Sequence, residues 1–188
     1  MRDGATARAV ARACVFLFGV GMLAIGASGV LALSFRAAFG DRFVAGDPIG
    51  VTYTASRCAD FLEYAPDALT CEAAASEHHA GEVIDLRIGA GLLGSVVLVA
   101  RWLVRRRGVP KAPPAELPDG FVATIGTSLF GAAAVLLGGE GLAVLVFEGP
   151  SHGPGQWISA GLVSLVVFAA FAHLLWRTLT APRPSAAR

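Results

Sequence analysis

The stretch from Ala13 to Phe35, ACVFLFGVGMLAIGASGVLALSF, is 23 residues long and contains no charged side chain. Because the hydrocarbon core of a bilayer is about 30 Å thick and a helix rises about 1.5 Å per residue, about 20 apolar residues are enough to span it. This segment therefore predicts a transmembrane helix. An alternative interpretation is a secretory signal sequence cleaved near Ala27, although the apolar core of a signal is usually shorter, about 7–15 residues.

Three further segments have the same character. The sequence predicts four transmembrane helices, at residues 13–35, 88–104, 121–147 and 157–176. Arg101 interrupts the second segment near its end, where the side chain can reach the headgroups, and Glu140 interrupts the third. Trp157 and Trp176 bracket the fourth, and tryptophan is enriched at both membrane interfaces. We therefore expect an all-α membrane protein that crosses the bilayer four times.

The composition excludes several other classes of protein. Of the 188 residues, 55% are hydrophobic and 15% are charged, whereas about a quarter of the residues in a soluble domain are charged. The formal net charge of +1 argues against a basic nucleic-acid-binding surface, which needs an excess of cations. The hydrophobic fraction is also far too high for an intrinsically disordered chain. The lipid bilayer is thus the first expected partner, and nucleic acid is not one.

The distribution of arginine predicts the orientation, because short cytoplasmic segments carry an excess of Lys and Arg. We expect a plasma-membrane protein with cytoplasmic segments at residues 1–12, 105–120 and 177–188. The segment 105–120 is rich in proline, and it begins with Arg105, Arg106 and Arg107, which are expected to set the orientation and to contact anionic lipid. The extracytoplasmic segments are then the loop 36–87, which holds nine of the 14 acidic residues, and the short turn 148–156.

An internal repeat relates the two halves of the chain. At an offset of 112 residues, Val10–Arg36 aligns with Val122–Glu148 without a gap, and nine of the 27 aligned positions are identical. At an offset of 70 residues, the second and fourth predicted helices also align. Shared composition alone gives about three or four matches over such a length. The sequence therefore predicts two tandem hairpins that are parallel repeats, related by a pseudo-two-fold axis along the membrane normal.

Small residues recur on one face of the third predicted helix. They are Thr127, Gly131, Ala134, Gly138 and Gly141. The counterparts in the first helix are Gly19, Gly26 and Gly29. Such faces let two helices approach closely in a bilayer, where packing drives their association. We expect both faces to pack against neighbouring helices.

Two of the three cysteines, Cys58 and Cys71, lie in the loop 36–87. Cysteines on the oxidising side of a membrane are most simply paired, so we expect a disulfide between them. Closing a loop of this length stabilises the folded loop by about 3 kcal/mol in the chain-entropy model. Thr70 is a candidate N-cap, and nothing from Cys71 to Val104 stops a helix. The second transmembrane helix is therefore expected to project outward from the membrane.

One face of this projecting helix carries residues with the character of metal ligands. His78, Glu82 and Asp85 share that face with Cys71. A histidine four residues before a carboxylate on a helix can bind zinc. Additional candidate ligands are Glu77, His79 and His152. The alternative interpretation is that these side chains hydrogen-bond to the folded-back loop, since none of the usual zinc-binding spacings is present.

Glu140 is an ionisable residue inside the third predicted span. An ionisable group at this depth is costly, which makes Glu140 a candidate ion or proton site. The neighbouring glycines Gly138, Gly139 and Gly141 permit a local break in the helix. The alternatives are a tilted helix that brings the carboxyl group to the headgroups, or a protonated, neutral carboxyl group. At about 100° per residue Glu140 lies almost opposite the small-residue face, and the aligned position in the first helix is Ser28.

The sequence contains no Walker loop, dinucleotide-binding fingerprint, nucleophile elbow or kinase motif. We therefore predict no catalytic residues and no cofactor, and the sequence leans against an enzyme while leaving that question open. It favours a non-catalytic membrane protein that is an accessory or assembly subunit of a membrane complex, or a homo-oligomer. The first alternative is a small transporter, or an ion or proton pathway, that uses Glu140. The second is a metal-dependent enzyme on the outer face that uses His78, Glu82 and Asp85.

Overall fold

The computed structural model describes residues 3–46, 54–107 and 119–180. Its α-helices are α1 (Asp3–Phe39), α2 (Asp41–Ala45), α3 (Ala55–Tyr64), α4 (Cys71–Arg107), α5 (Asp119–Ala143) and α6 (Pro154–Thr180). A π-helical turn, Val144–Glu148, continues α5, and a 3-10 turn, Pro150–His152, leads into α6. Most of the predicted proline-rich segment 105–120 and of the predicted tail 177–188 lies outside the described residues.

Four of these helices are long and apolar enough to cross a membrane. The candidate spans are Thr6–Phe39, Cys71–Arg106, Gly120–Glu148 and Pro154–Thr180. Each is longer than the about 20 residues that cross the hydrocarbon, so every helix extends beyond its predicted apolar segment. The predicted continuous helix from Cys71 is present as α4. The prediction of an all-α membrane protein with four apolar spans is therefore confirmed.

Helices α1 and α4 form the first hairpin, and glycine determines how closely they approach. A β-carbon at Gly91 would lie 2.6 Å from the Cα atom of Gly26, so the two backbones are in direct contact there. Towards one end of the hairpin Gly19 faces the side chain of Leu98, and towards the other Gly29 faces the backbone of Ile88. The glycines predicted to pack in the first helix therefore lie against α4.

Helices α5 and α6 form the second hairpin in the same manner. A β-carbon at Gly161 would lie 2.5 Å from the Cα atom of Gly138. Gly131 faces the ring of Phe168, and Gly141 faces Ile158. The glycines of the small-residue face predicted for the third helix thus lie against α6.

The two hairpins meet through α1 and α6. Ala24 of α1 belongs to one buried cluster with Phe130 of α5 and Phe171 of α6. The rings of Phe130 and Phe171 are stacked with their centroids 5.8 Å apart. An exact two-fold relation would bring α4 equally close to α5, but within the described residues these two helices make much less contact. The predicted pseudo-two-fold axis stays a prediction.

Short helices and turns cover one end of the bundle, which we call the cap end. Helix α2 packs there against α1, α4 and α6, and its Val44 is fully buried over Ala32 and Ile84. Gly46 and Gly153 have φ angles of 82° and 77°, and a β-carbon at Gly153 would lie 2.7 Å from the backbone nitrogen of Gly46. Both the positive φ and the close backbone approach favour glycine at these positions. The cap end therefore joins the two hairpins.

Candidate functional site

The predicted disulfide holds α3 against α4 at the cap end. Cys58 of α3 is bonded to Cys71 at the start of α4, and their Cα atoms are 5.4 Å apart. Thr70 accepts a hydrogen bond from the backbone nitrogen of Ala73 at 3.2 Å, as expected of an N-cap. The disulfide prediction is confirmed, and α3 is the folded-back segment that lies over the projecting helix.

His78 lies between this segment and a carboxylate. Its ring centroid is 4.7 Å from that of Tyr64 and 5.5 Å from that of Phe61, both on α3. Its Nδ1 atom is 3.7 Å from Oε2 of Glu82. The third predicted ligand, Asp85, is exposed one turn further along α4. Within the described residues no group of three or more His, Cys, Asp or Glu side chains is arranged to hold a metal ion, so the metal site stays a prediction that the geometry does not support.

The additional candidate ligands are dispersed. Glu77 Oε1 accepts a hydrogen bond from Arg36 Nη2 at 3.5 Å. His79 is exposed, with Nδ1 3.9 Å from Oε2 of Glu82. His152 lies in the 3-10 turn before α6, where it contacts the hydroxyl of Ser151. None of these three completes a ligand set with His78 in the described structure.

Glu140 lies on the outside of α5. Its side chain is exposed, and within the described residues it has neither a hydrogen bond nor an ion pair. A β-carbon at the neighbouring Gly139 would meet nothing within 4 Å. The face towards α6 is instead formed by Gly138 and Gly141. Glu140 therefore points away from the hairpin partner, as the helical spacing indicates.

Arg87, the basic residue nearest to this depth in the sequence, is engaged elsewhere. Its Nη1 atom donates to the carbonyl oxygen of Gln156 at 3.0 Å and to the hydroxyl of Ser159 at 3.3 Å. Ser159 is fully buried and itself donates to the Gln156 carbonyl. Arg87 thus fastens α4 to the first turn of α6 and links the two hairpins. The sequence gives no local signal for this contact, because the partners are about 70 positions apart.

Two adjoining clefts open at the cap end. The larger, of about 560 Å³, is mainly apolar and is lined by Phe39, Arg42, Phe43, Leu145, Pro150 and Ser151. The smaller, of about 240 Å³, is lined by Phe39, Gly40, Asp41, Arg42, Ala73 and Ser76. Phe39 and Arg42 line both. Sequence reasoning missed these clefts, although aromatic rings at Phe35, Phe39 and Phe43 recur every four residues.

At the opposite end of the bundle, arginines lie over aromatic rings. The guanidinium carbon of Arg101 is 4.8 Å from the ring centroid of Phe16, and that of Arg106 is 4.1 Å from the ring centroid of Trp102. The side chains of Arg105 and Arg106 are exposed, which suits the predicted contact with anionic lipid. Arg107 ends α4, and its side chain lies outside the described structure.

Comparisons with known proteins place no relative beside this chain. No family model, curated protein or solved structure matches it. Its four apolar helices nevertheless indicate a membrane protein, and the described side chains supply the observations that bear on its function.

Proposed function

We propose that this chain is a membrane assembly protein that associates through an uncovered face of α5 with another membrane-spanning helix. The observation that carries this proposal is the exposure of Glu140 on the outside of its candidate span. The residue lies about 10 Å along the helix axis from Phe147, at about 1.5 Å per residue. Ionisable side chains inside a span almost always face a neighbouring helix or a watery cavity, because lipid leaves them unsolvated.

The first hairpin supports the same conclusion, because its corresponding face is covered. In α1, the residues Ala24, Ser28 and Ala32 are 9%, 3% and 0% exposed. At the offset of 112 residues, the first two of these align with Leu136 and Glu140 of α5. Leu136 is 71% exposed and Glu140 is also exposed. Equivalent positions are thus enclosed in one hairpin and open in the other.

We further infer that the two hairpins are repeats of one unit, and their packing register supports this. The glycine pairs Gly26–Gly91 and Gly138–Gly161 correspond at the offsets of 112 and 70 residues. Two further pairs correspond in the same way, Gly19–Leu98 with Gly131–Phe168 and Gly29–Ile88 with Gly141–Ile158. A chance likeness of two glycine-rich helices would not also preserve which residue faces which.

The repeat indicates which helix covers the open face. In the first hairpin, α6 covers α1, with Val163 and Val167 against the cluster around Ala24. At the offset of 70 residues the counterparts of these valines are Leu93 and Val97 of α4, and Leu93 is 49% exposed. We therefore expect α4 of a second copy to lie against α5, which makes the chain a homo-oligomer.

Small residues would let the second helix approach. Ala132, Gly139 and Ala143 are all exposed on α5. Gly139 and Ala143 are four residues apart, the spacing at which two small residues bring helix backbones together in lipid. A hydrogen-bond donor on the incoming helix would then lie within reach of the Glu140 carboxyl group.

The test is crosslinking in intact membranes. A photo-crosslinking amino acid at position 136 is expected to give a product of twice the mass of the 19.3 kDa chain. The matched control is the same amino acid at position 166, because Val166 is 70% exposed on α6 but lies outside the proposed interface. A product of another mass would replace the second copy by a different partner, and lipid adducts alone at both positions would refute the assembly role.

The transport role proposed for Glu140 receives less support. A pathway between the hairpins needs the carboxyl group to face the neighbouring helices, whereas Glu140 is exposed on the other side of α5. If transport occurs, it therefore requires the oligomer. Flux into proteoliposomes that is lost in Glu140→Gln while the crosslinked product persists would favour this second function.

A further inference from the structure

The two clefts at the cap end differ in chemistry and share a wall. One is lined mainly by apolar side chains and the other by charged and polar groups, and Phe39 and Arg42 belong to both. We propose that together they bind one phospholipid whose headgroup carries a phosphate and a primary ammonium group. The acyl portion occupies the larger cleft and the headgroup occupies the smaller one.

The larger cleft has the walls that an acyl chain needs. Phe39 and Phe43 pack with their ring centroids 4.8 Å apart on one side, and Leu145 and Pro150 form the other. Leu145 lies in the π-helical turn 144–148. Such turns are rare and occur frequently at functional sites. The cleft thus lies where the regular hydrogen bonding of α5 changes, at the end of its candidate span.

The smaller cleft contains a buried hydroxyl group that has no partner. Ser76 is 3% exposed, and within the described residues its Oγ atom makes no hydrogen bond. Buried hydroxyl groups in proteins are nearly always paired. Since Ser76 lines the cleft beside Asp41 and Arg42, a polar group of a bound ligand would satisfy it.

The charges around the smaller cleft favour a zwitterionic headgroup. Arg36 forms ion pairs with both Asp41 and Glu77, and Arg42 adds a second cation at the wall. Two cations and two anions leave no net charge but provide one site of each sign. The phosphate binds at Arg42 and the ammonium group at Asp41. A choline headgroup lacks the N–H donors for Asp41, and an anionic headgroup would leave that carboxylate beside a second negative charge.

The binding test uses the full chain in detergent micelles with the disulfide intact. Affinity is measured by native mass spectrometry for phosphatidylethanolamine, phosphatidylcholine, phosphatidylglycerol and free phosphoethanolamine. Phosphatidylethanolamine is expected to bind tightest, and Arg42→Gln is expected to weaken it about ten- to a hundredfold, as for the loss of a charge-assisted hydrogen bond. Arg57→Gln, which removes an exposed arginine of α3, is the matched control and should leave the affinity unchanged.

A second variant separates the binding role of Ser76 from a structural one. Ser76→Ala removes the unpaired hydroxyl group, so it should raise the melting temperature of the lipid-free chain while lowering its affinity for phosphatidylethanolamine several-fold. Equal binding by Arg42→Gln and Arg57→Gln, or equal binding of phosphatidylglycerol and phosphatidylethanolamine, would overturn the proposal. Equally tight binding of free phosphoethanolamine would also overturn it, because the apolar cleft would then contribute nothing.

Discussion

Replacing one glycine of the first hairpin by alanine tests the close approach of α1 and α4. At Gly91 the added β-carbon would lie 2.6 Å from the Cα atom of Gly26, where ordinary contact is 3.4–4 Å. The helices must therefore separate by about 1 Å, and overpacking of this kind costs about 1–3 kcal/mol. Gly89→Ala is the matched control, because a β-carbon two residues earlier in α4 meets nothing within 4 Å.

Comparing the two variants isolates the steric cost. Each exchange gains about 0.5–1 kcal/mol of helix propensity, and this gain cancels in the difference between them. The free energy of unfolding, measured by titration with SDS in mixed micelles and followed by circular dichroism, should be about 1–3 kcal/mol lower for Gly91→Ala than for Gly89→Ala. Equal stabilities would show that the backbones do not touch at Gly26 and Gly91.

Two further predictions concern the links between elements. Cys58→Ser should free α3 from α4 at a cost of about 3 kcal/mol and speed proteolysis within residues 55–64 about a hundredfold, with reduction of the wild-type disulfide as the parallel test; an unchanged cleavage rate would contradict it. Arg87→Gln should lower the free energy of unfolding by about 1.5–3 kcal/mol, because it removes charge-assisted hydrogen bonds to Gln156 and Ser159. The same SDS titration checks this, with Arg57→Gln as control, and equal stability of the two variants would disprove the link between the hairpins.

The sequence predicts the elements of this fold because each leaves a local signal. An uncharged run such as 13–35 identifies a span by its length, and Thr70 before Cys71 marks the start of α4. The helical spacing around Gly138 also predicts the face of α5 that packs, and with it the outward direction of Glu140. These features depend on neighbours within a few residues, so composition and periodicity suffice.

The candidate sites depend on distant residues, and the sequence does not place them. The apolar cleft combines Phe39 and Phe43 with Leu145 and Pro150, which lie about 100 positions later. The proposed ligand face around His78 read correctly as the side towards the folded-back segment, yet that segment supplies aromatic rings instead of metal ligands. Periodicity shows which residues share a face but not what lies opposite.

The contact between α1 and α6 imposes an order on biosynthesis. These are the first and last spans of the chain, and Ala24 meets Phe171 only after almost all of it has been made. At about 5–20 residues per second, α1 waits on the order of ten seconds in the membrane before α6 emerges from the ribosome. During that interval its face at Ser28 is as open as the face of α5 at Glu140. A newly made first hairpin can therefore accept the last helix of a neighbouring, completed copy, so exchange of α6 between chains is a direct route to the oligomer.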